Sequence, residues 1–322
     1  MKKLCLALAA VTLLAGTALA AYPERSVTLV VPFSAGGGSD VMARSLVAAM
    51  EAEKALPVTI VIENKPGGSG TVGWSYVAKK HQGDNYVITT TSGSFWNTAI
   101  AGQSPVNYRD FVAIAGVAMD PLTLVVNADS PYKTLKDLLD AAKASPDKLV
   151  FAGTSAYAGD RVCLEMLKKE SGIDIKHLSF KGGAETTMAV LGNHVAASWS
   201  NPSEAAGMLE SKKLRVLAVT TEERLPELPD VPTFKELVHP GVFYADLRGV
   251  MGPKGMSPEA VKVIAEAVKK ACASEVWQNK YVKANMVIGK YIPTEAWAKA
   301  VEEQHYKFYD IFASLGMAKG AR

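Results

Sequence analysis

Residues 28–40 read TLVVPFSAGGGSD. The first four make an apolar, β-branched run of strand type. A loop of small residues follows, and a helix is expected to open near Ser39 and Asp40. Beyond them Val41, Leu46, Val47 and Met50 form an apolar stripe, and Arg44 marks the polar face. Gly36, Gly37 and Gly38 let the backbone come close to whatever occupies the loop. The first helical turn leaves unpaired N–H groups and a partial positive charge, which suits an anion. Ser39 or Asp40 offers a side-chain cap there. A lone turn of this kind serves equally well as a tight connection with nothing bound. Its weight comes from repetition.

The repeat lies 120 residues on. Residues 149–152 form a strand, 153–160 (GTSAYAGD) a small-residue loop and 161–170 a helix, so that Ser34 falls on Thr154, Asp40 on Asp160 and Leu46 on Met166. Between the copies, the first unit continues as strand 58–63, loop 64–70, helix 72–79, strand 86–91 and a loop over 92–97. The second continues as strand 177–180 with Lys181-Gly182-Gly183, then strand 195–199 with Ser200-Asn201-Pro202-Ser203, then strand 214–220. Shared spacing of this kind carries more than either motif alone. Alternating strands and helices imply mostly parallel sheets covered by helices. Strand 122–126 and a helix over 135–143, capped by Thr134, stand between the two units. After a Pro-rich connector (222–240) come strand 247–251 and two helices, one capped by Ser257 with Pro258 first, the other capped by Thr294. Crossings near 121 and 242 divide the chain into 21–120 plus 243–322 and 121–242, each lobe borrowing a strand.

Residues 1–20 read as a signal peptide: Lys2 and Lys3, an apolar core over 4–14, and Ala18-Leu19-Ala20 as a cleavage site. The core is too short for a membrane anchor, so an exported, soluble chain is expected. Removing the two lysines takes the formal charge from +3 to +1, a balance that argues against nucleic acid or a lipid surface. Cys163 and Cys272 lie on opposite sides of the proposed hinge and are expected to be separate buried thiols. Monomeric behaviour is expected.

In open sheets ligands bind beyond the carboxyl ends of the strands, where helix N-termini also point. Two such sheets facing each other enclose a cleft lined by 34–40, 92–97, 154–161, 181–183 and Asn201. Its content is donors: backbone amides, hydroxyls such as Ser92 and Ser94, and cations at Lys181 and Arg161. That suits a small carboxylate. Arg161 is placed to meet a second carboxylate, and Phe95, Trp96 and Tyr157 to supply an aromatic wall, which favours a dicarboxylate or an aromatic acid. Trp199 stands equally for core packing or cleft wall. Catalysis fits poorly: no serine lies in G-x-S-x-G, and the five histidines have no partner at metal or triad spacing. Asp40 and Asp160 stand where helices start, which favours capping over a pair of catalytic acids. GGGSD lacks the dinucleotide spacing. No cofactor and no metal are expected.

The stretches VPFSAGGGSD, VIENKPGGSGTVG, YRDF (108–111), LKDL (135–138), LRVLAVT (214–220) and LPDVPT (228–233) resemble the solute receptors of tripartite tricarboxylate transporters, the Bug receptors. The resemblance covers residues 22–316 in order. It implies a type II Venus-flytrap binding protein in the periplasm that delivers carboxylates to a two-component membrane permease. It also implies that the first strand–helix loop of each lobe holds the ligand carboxylate. Those loops carry Ser34, Gly37, Gly38, Ser39 and Asp40 on one side and Ser155, Gly159 and Asp160 on the other. Where the family commonly has a histidine after the second loop, this chain has Arg161. A receptor subunit of a carboxylate-sensing system would use the same fold and pocket. A periplasmic enzyme of carboxylate metabolism would need an acid–base pair that the cleft residues do not supply.

Overall fold

A computed structural model describes residues 22–145, 148–154, 158–180 and 183–322. In chain order, β1 (Val27–Val31) runs into α1 (Gly38–Ala52), then β2 (Ile60–Asn64), α2 (Thr71–Lys80), β3 (Val87–Thr90) and α3 (Gly93–Ile100). Strands β4 (Phe111–Pro121) and β5 (Thr123–Asn127) follow with only Leu122 between them. Next come α4 (Leu135–Ala144), β6 (Val150–Gly153), α5 (Gly159–Ser171), β7 (Lys176–Ser179), α6 (Gly183–Leu191), β8 (Ala197–Ser200), α7 (Pro202–Glu210) and β9 (Leu214–Val219). The chain ends with β10 (Ala245–Pro253), α8 (Pro258–Ala273), a short α9 (Glu275–Trp277), β11 (Ile288–Ile292) and α10 (Thr294–Ser314).

The strands form two sheets, ordered β11-β4-β10-β3-β1-β2 and β7-β6-β8-β5-β9. Read as β2-β1-β3-β10-β4, the first sheet matches the second position for position. In each, a central strand pairs in parallel with two neighbours: β1 with β2 and β3, β6 with β7 and β8. The fourth strand of each is antiparallel to the third: β10 to β3, and β5 to β8. The sequence repeat is therefore a repeat of the fold. The antiparallel pairings come from the strands that follow each crossing, which makes both sheets mixed.

Strand β1 shows why the sheets are covered on both faces. Val27, Leu29 and Val31 pack with Met42 and Leu46 of α1 and Ile264 and Val268 of α8. Val30 points the other way, into a cluster with Trp74, Val77 and Phe95. Successive side chains alternate faces, so an unbroken apolar run needs a layer on each side.

Several local readings change. Residues 93–100 are a helix and not a loop: Phe95, Trp96, Ala99 and Ile100 pack into the core, and Asn97 and Thr98 are buried with them. Strand β4 is long and was not separated from its surroundings. Asn201 and Pro202 open α7 as N-cap and first residue, where a loop was expected. Thr134 and Ser257 cap α4 and α8, but Pro293 takes that place at α10, and Thr294 Oγ1 donates instead to the Ile114 carbonyl, 2.7 Å away. Cys163 and Cys272 are free and buried.

The two crossings meet at Thr220, which is fully buried. Its backbone N–H donates to the Leu122 carbonyl at 3.0 Å, and its carbonyl accepts from Tyr244 N–H at 3.1 Å. Its hydroxyl donates to the Tyr244 carbonyl at 2.6 Å and accepts from Leu122 N–H at 3.0 Å.

Candidate functional site

The carboxyl ends of β1, β3, β6 and β8 open onto a cavity of about 380 Å³ between the sheets. Helices α1, α3, α5, α6 and α7 all begin at its wall, through Gly37–Ser39, Ser92 and Ser94, Ala158–Asp160, Gly183, and Asn201 and Ser203. Five helix N-termini thus face one space, each with amides that have no intrahelical acceptor and with the positive end of its dipole. That volume suits a small metabolite.

At α1 the cap is Gly37, in extended conformation, so neither Ser39 nor Asp40 caps the helix. Gly36 has φ +82°, a left-handed turn that only glycine adopts freely. Ser39 lines the cavity, whereas Asp40 turns away from it and braces the loop from behind. The Asp40 carboxylate accepts from the Gly36 amide at 2.8 Å, from Arg44 Nε at 2.8 Å and from Asn64 Nδ2 at 2.9 Å. Burial opposes its charge, but these hydrogen bonds prevail and hold the carboxyl below its ordinary pKa.

In the second copy Asp160 does line the cavity. It accepts from the Thr154 amide, from Thr154 Oγ1 at 2.7 Å and from the Arg161 amide at 2.6 Å. Burial dominates here and the nearby Asp246 charge adds to it, so its pKa is raised.

Of the residues named from sequence, the structure brings Ser34, Gly37, Gly38, Ser39, Ser92, Ser94, Gly159, Asp160 and Asn201 into the wall. Asp40 is the brace just described. Trp96 is buried in the first lobe, with Nε1 donating to the Val301 carbonyl at 2.9 Å, and Phe95 packs edge-on between Trp74, Trp96 and Phe111. Neither reaches the cavity, because residues 93–100 coil into a helix that turns those rings into the core. Arg161 points along its own helix to Glu165, 2.7 Å away, and is not part of the wall. Trp199 serves both roles: it packs against Phe234 with 5.4 Å between centroids, and it lines the cavity. Ser155, Tyr157 and Lys181 lie outside the described residues.

The sequence reading missed the polar centre of the site. Arg248 of β10 enters the cavity with its side chain only 7% exposed. Nη2 donates to Asp120 Oδ2 at 2.5 Å and Nη1 to Ser39 Oγ at 3.1 Å, while Asp246 Oδ2 stands 4.0 Å from Nη2. Burial works against the guanidinium charge, but Asp120, with Tyr281 and Asp246 behind it, outweighs that and raises its pKa further. Asp246 also accepts from Tyr244 Oη and from the Gly93 amide. Phe33, Leu122 and Glu204 also line the cavity. The available signal was a single charge inside an apolar run, as in AMDPL (118–122) and LRGVM (247–251), since a charge in such a place is seldom left without a partner.

Among the described residues no group of His, Cys, Asp and Glu is placed to hold a metal ion, and no helix is long and apolar enough to cross a membrane.

Comparison with known proteins agrees with this architecture. The chain is 31% identical over 301 residues to the UPF0065 protein in gbd 5'region of Cupriavidus necator, covering 92% of this chain and 90% of that one. The structure of the periplasmic binding protein BugD superposes with a TM-score of 0.80 at 30% identity, covering 92% of this chain and 99% of BugD. R. palustris Rpa4515 with adipate superposes with a TM-score of 0.83 at 26% identity, over 92% and 99% of the two chains. The profile described as "Tripartite tricarboxylate transporter family receptor" matches residues 42–316. This chain belongs to that family of receptors.

Proposed function

We propose that the chain is a periplasmic solute-binding receptor that closes on a small carboxylate and delivers it to the membrane permease of a tripartite transporter. The observation that carries this reading is the convergence of five helix N-termini on one cavity that also holds Arg248. A carboxylate there would accept from amides such as those of Gly38 and Ser39, which by position lack an intrahelical acceptor. Each charge-assisted hydrogen bond is worth about 1.5–3 kcal/mol. The lobes that close are residues 21–120 with 243–322, and 121–242, turning about the crossings near Leu122 and Val242. Adipate in a related protein supports a carboxylate of this size range.

Thermal unfolding of the purified mature protein against a panel of mono-, di- and tricarboxylates tests the reading. At a hundred times its dissociation constant the cognate acid adds about 2.7 kcal/mol of stability. Small-angle scattering at saturation should show a smaller radius of gyration. A panel in which no carboxylate shifts the melt would overturn the proposal.

A further inference from the structure

Helix α5 begins at the cleft with Gly159 and reaches, in its later turns, a second cavity of about 330 Å³. Helical rise puts Lys169 about 15 Å along the axis from Gly159. Met166, Lys169 and Glu170 line this cavity from one face of α5, and Lys307, Ile311 and Leu315 line it from one face of α10. Phe243, in the chain entering β10, supplies a third wall. Helix α5 packs on β6 and β8, and α10 on β4. The cavity is therefore bounded by elements of both sheets and by a connection between them. Gly241 lies so close to α5 that a Cβ there would overlap the Glu170 carboxylate, and its amide donates to Glu170 Oε2 at 3.2 Å.

The lining divides by chemistry. Met166, Phe243, Ile311 and Leu315 make an apolar floor, while Lys169 and Glu170 stand exposed at the rim. Lys307 Nζ lies 4.2 Å from the centre of the Phe243 ring. Among the described residues neither Lys169 nor Lys307 has an ion-pair partner, whereas the adjacent Lys168 is held by Asp174 at 2.7 Å and Glu165 at 3.6 Å. Packing takes water from the Lys307 ammonium and lowers its pKa, with the Glu222 charge opposing. An anion beside it would relieve that cost. Two lysines against Glu170 leave the cavity one formal positive charge, which suits a single negative charge and not two. The volume falls within the range of small-molecule sites, roughly 300–1,000 Å³, and such sites join an apolar lining to a few polar groups.

We propose that this cavity is a second binding site, separate from the cleft, for a small organic acid with one negative charge and an apolar body. The acid group lies between Lys169 and Lys307, and the body rests on Met166, Ile311 and Leu315. The site does not depend on what the cleft binds.

Octanoate is the probe, titrated into the mature protein carrying carbon-13 at its methionine methyls, with Met166→Leu to identify the Met166 signal. Acetate removes the tail, 1-octanol the charge, and octylamine reverses the charge. Octanoate should shift the Met166 signal saturably, 1-octanol and octylamine should bind at least tenfold more weakly, and acetate should leave the signal still. In Lys307→Gln the octanoate dissociation constant should rise at least tenfold, and in Lys169→Gln at least threefold. A Met166 signal that octanoate never moves would overturn the proposal, whether the acid binds elsewhere or not at all. So would 1-octanol or octylamine binding within tenfold of octanoate, or a smaller loss than expected in either folded variant. If Lys307→Gln fails to fold, Lys169→Gln and the head-group series decide the matter. Each of these failures leaves the cleft reading standing, because Met166 is not part of that wall.

Discussion

The turn from β1 into α1 and the turn from β6 into α5 come from one plan, yet their aspartates do opposite things. Asp40 is buried behind its loop, charged, and tied to Arg44 and Asn64. Asp160 stands in the cleft wall with a raised pKa, held by Thr154 and facing Asp246. The difference lies in the neighbours. Four residues after Asp40 comes Arg44, which reaches back to it. The cation beside Asp160 is Arg161, and Glu165 draws it down the helix, away from both Asp160 and the cleft. Duplicated backbone does not guarantee duplicated chemistry, because a carboxylate takes its state from the charges and donors around it.

The sharpest way to break the symmetry is through the glycines. A Cβ on Gly159 would overlap the buried Tyr244 ring, which is stacked on Phe308 at 5.4 Å. A Cβ on Gly38 would meet only Arg248 Nη2, at an ordinary 3.7 Å. Urea unfolding should find Gly159→Ala less stable by about 1–3 kcal/mol and Gly38→Ala within about 0.5 kcal/mol of wild type. Equal losses at the two sites would mean that Tyr244 moves aside without cost.

Removing Asp40 should be the next largest effect. Asp40→Ala leaves the Gly36 amide without its acceptor and frees Arg44, a loss of about 1–3 kcal/mol in the same urea experiment. A silent substitution would mean that the loop holds its shape unaided.

The two carboxyls should also separate on titration. Carboxyl-carbon NMR should place Asp40 below the unfolded aspartate value of about 3.9 and Asp160 above it. A depressed folded pKa means that the Asp40 contribution is fully present above about pH 4 and fades as pH falls through the folded pKa. Asp160 has the reverse sign: its ionised form weighs against the fold, so that burden lifts as pH falls through its raised pKa towards the unfolded value. Both carboxyls titrating together would erase the contrast.

The smallest effects belong to the arginines. Arg44 is 54% exposed, so Arg44→Ala should cost less than Asp40→Ala, by an amount that shrinks with added salt. Arg161→Ala should leave the dissociation constant of the tightest-binding dicarboxylate within twofold, because its guanidinium is turned to Glu165. A tenfold loss in calorimetry would put Arg161 back in the site.

Much of the frame was legible in the sequence because it rests on local signals: β-branched runs, small-residue loops and helix starts, each given twice. The helix at 93–100 was hidden because SGSFWN reads as a turn until tertiary packing claims Phe95 and Trp96. Strand β4 was hidden because FVAIAGVAMDP is buried on both faces and shows no alternation. Arg248 and Asp120 lie 128 residues apart and meet only when β10 pairs with β4. No spacing rule reaches across that distance, although an isolated charge in an apolar run did mark each of them.

Thr220 has a mechanical consequence. Its four hydrogen bonds tie the Leu122 crossing to the chain entering β10, so the two connections between the sheets act as one axle and not as two independent tethers. Sliding or splaying of one sheet past the other would have to tear that knot, whereas swinging about it asks for small torsional changes at a few residues. For the closure proposed above, this would make a door on a single pin, and Leu122, which belongs to the cavity wall as well as to the pin, would lie where the arc has almost no radius.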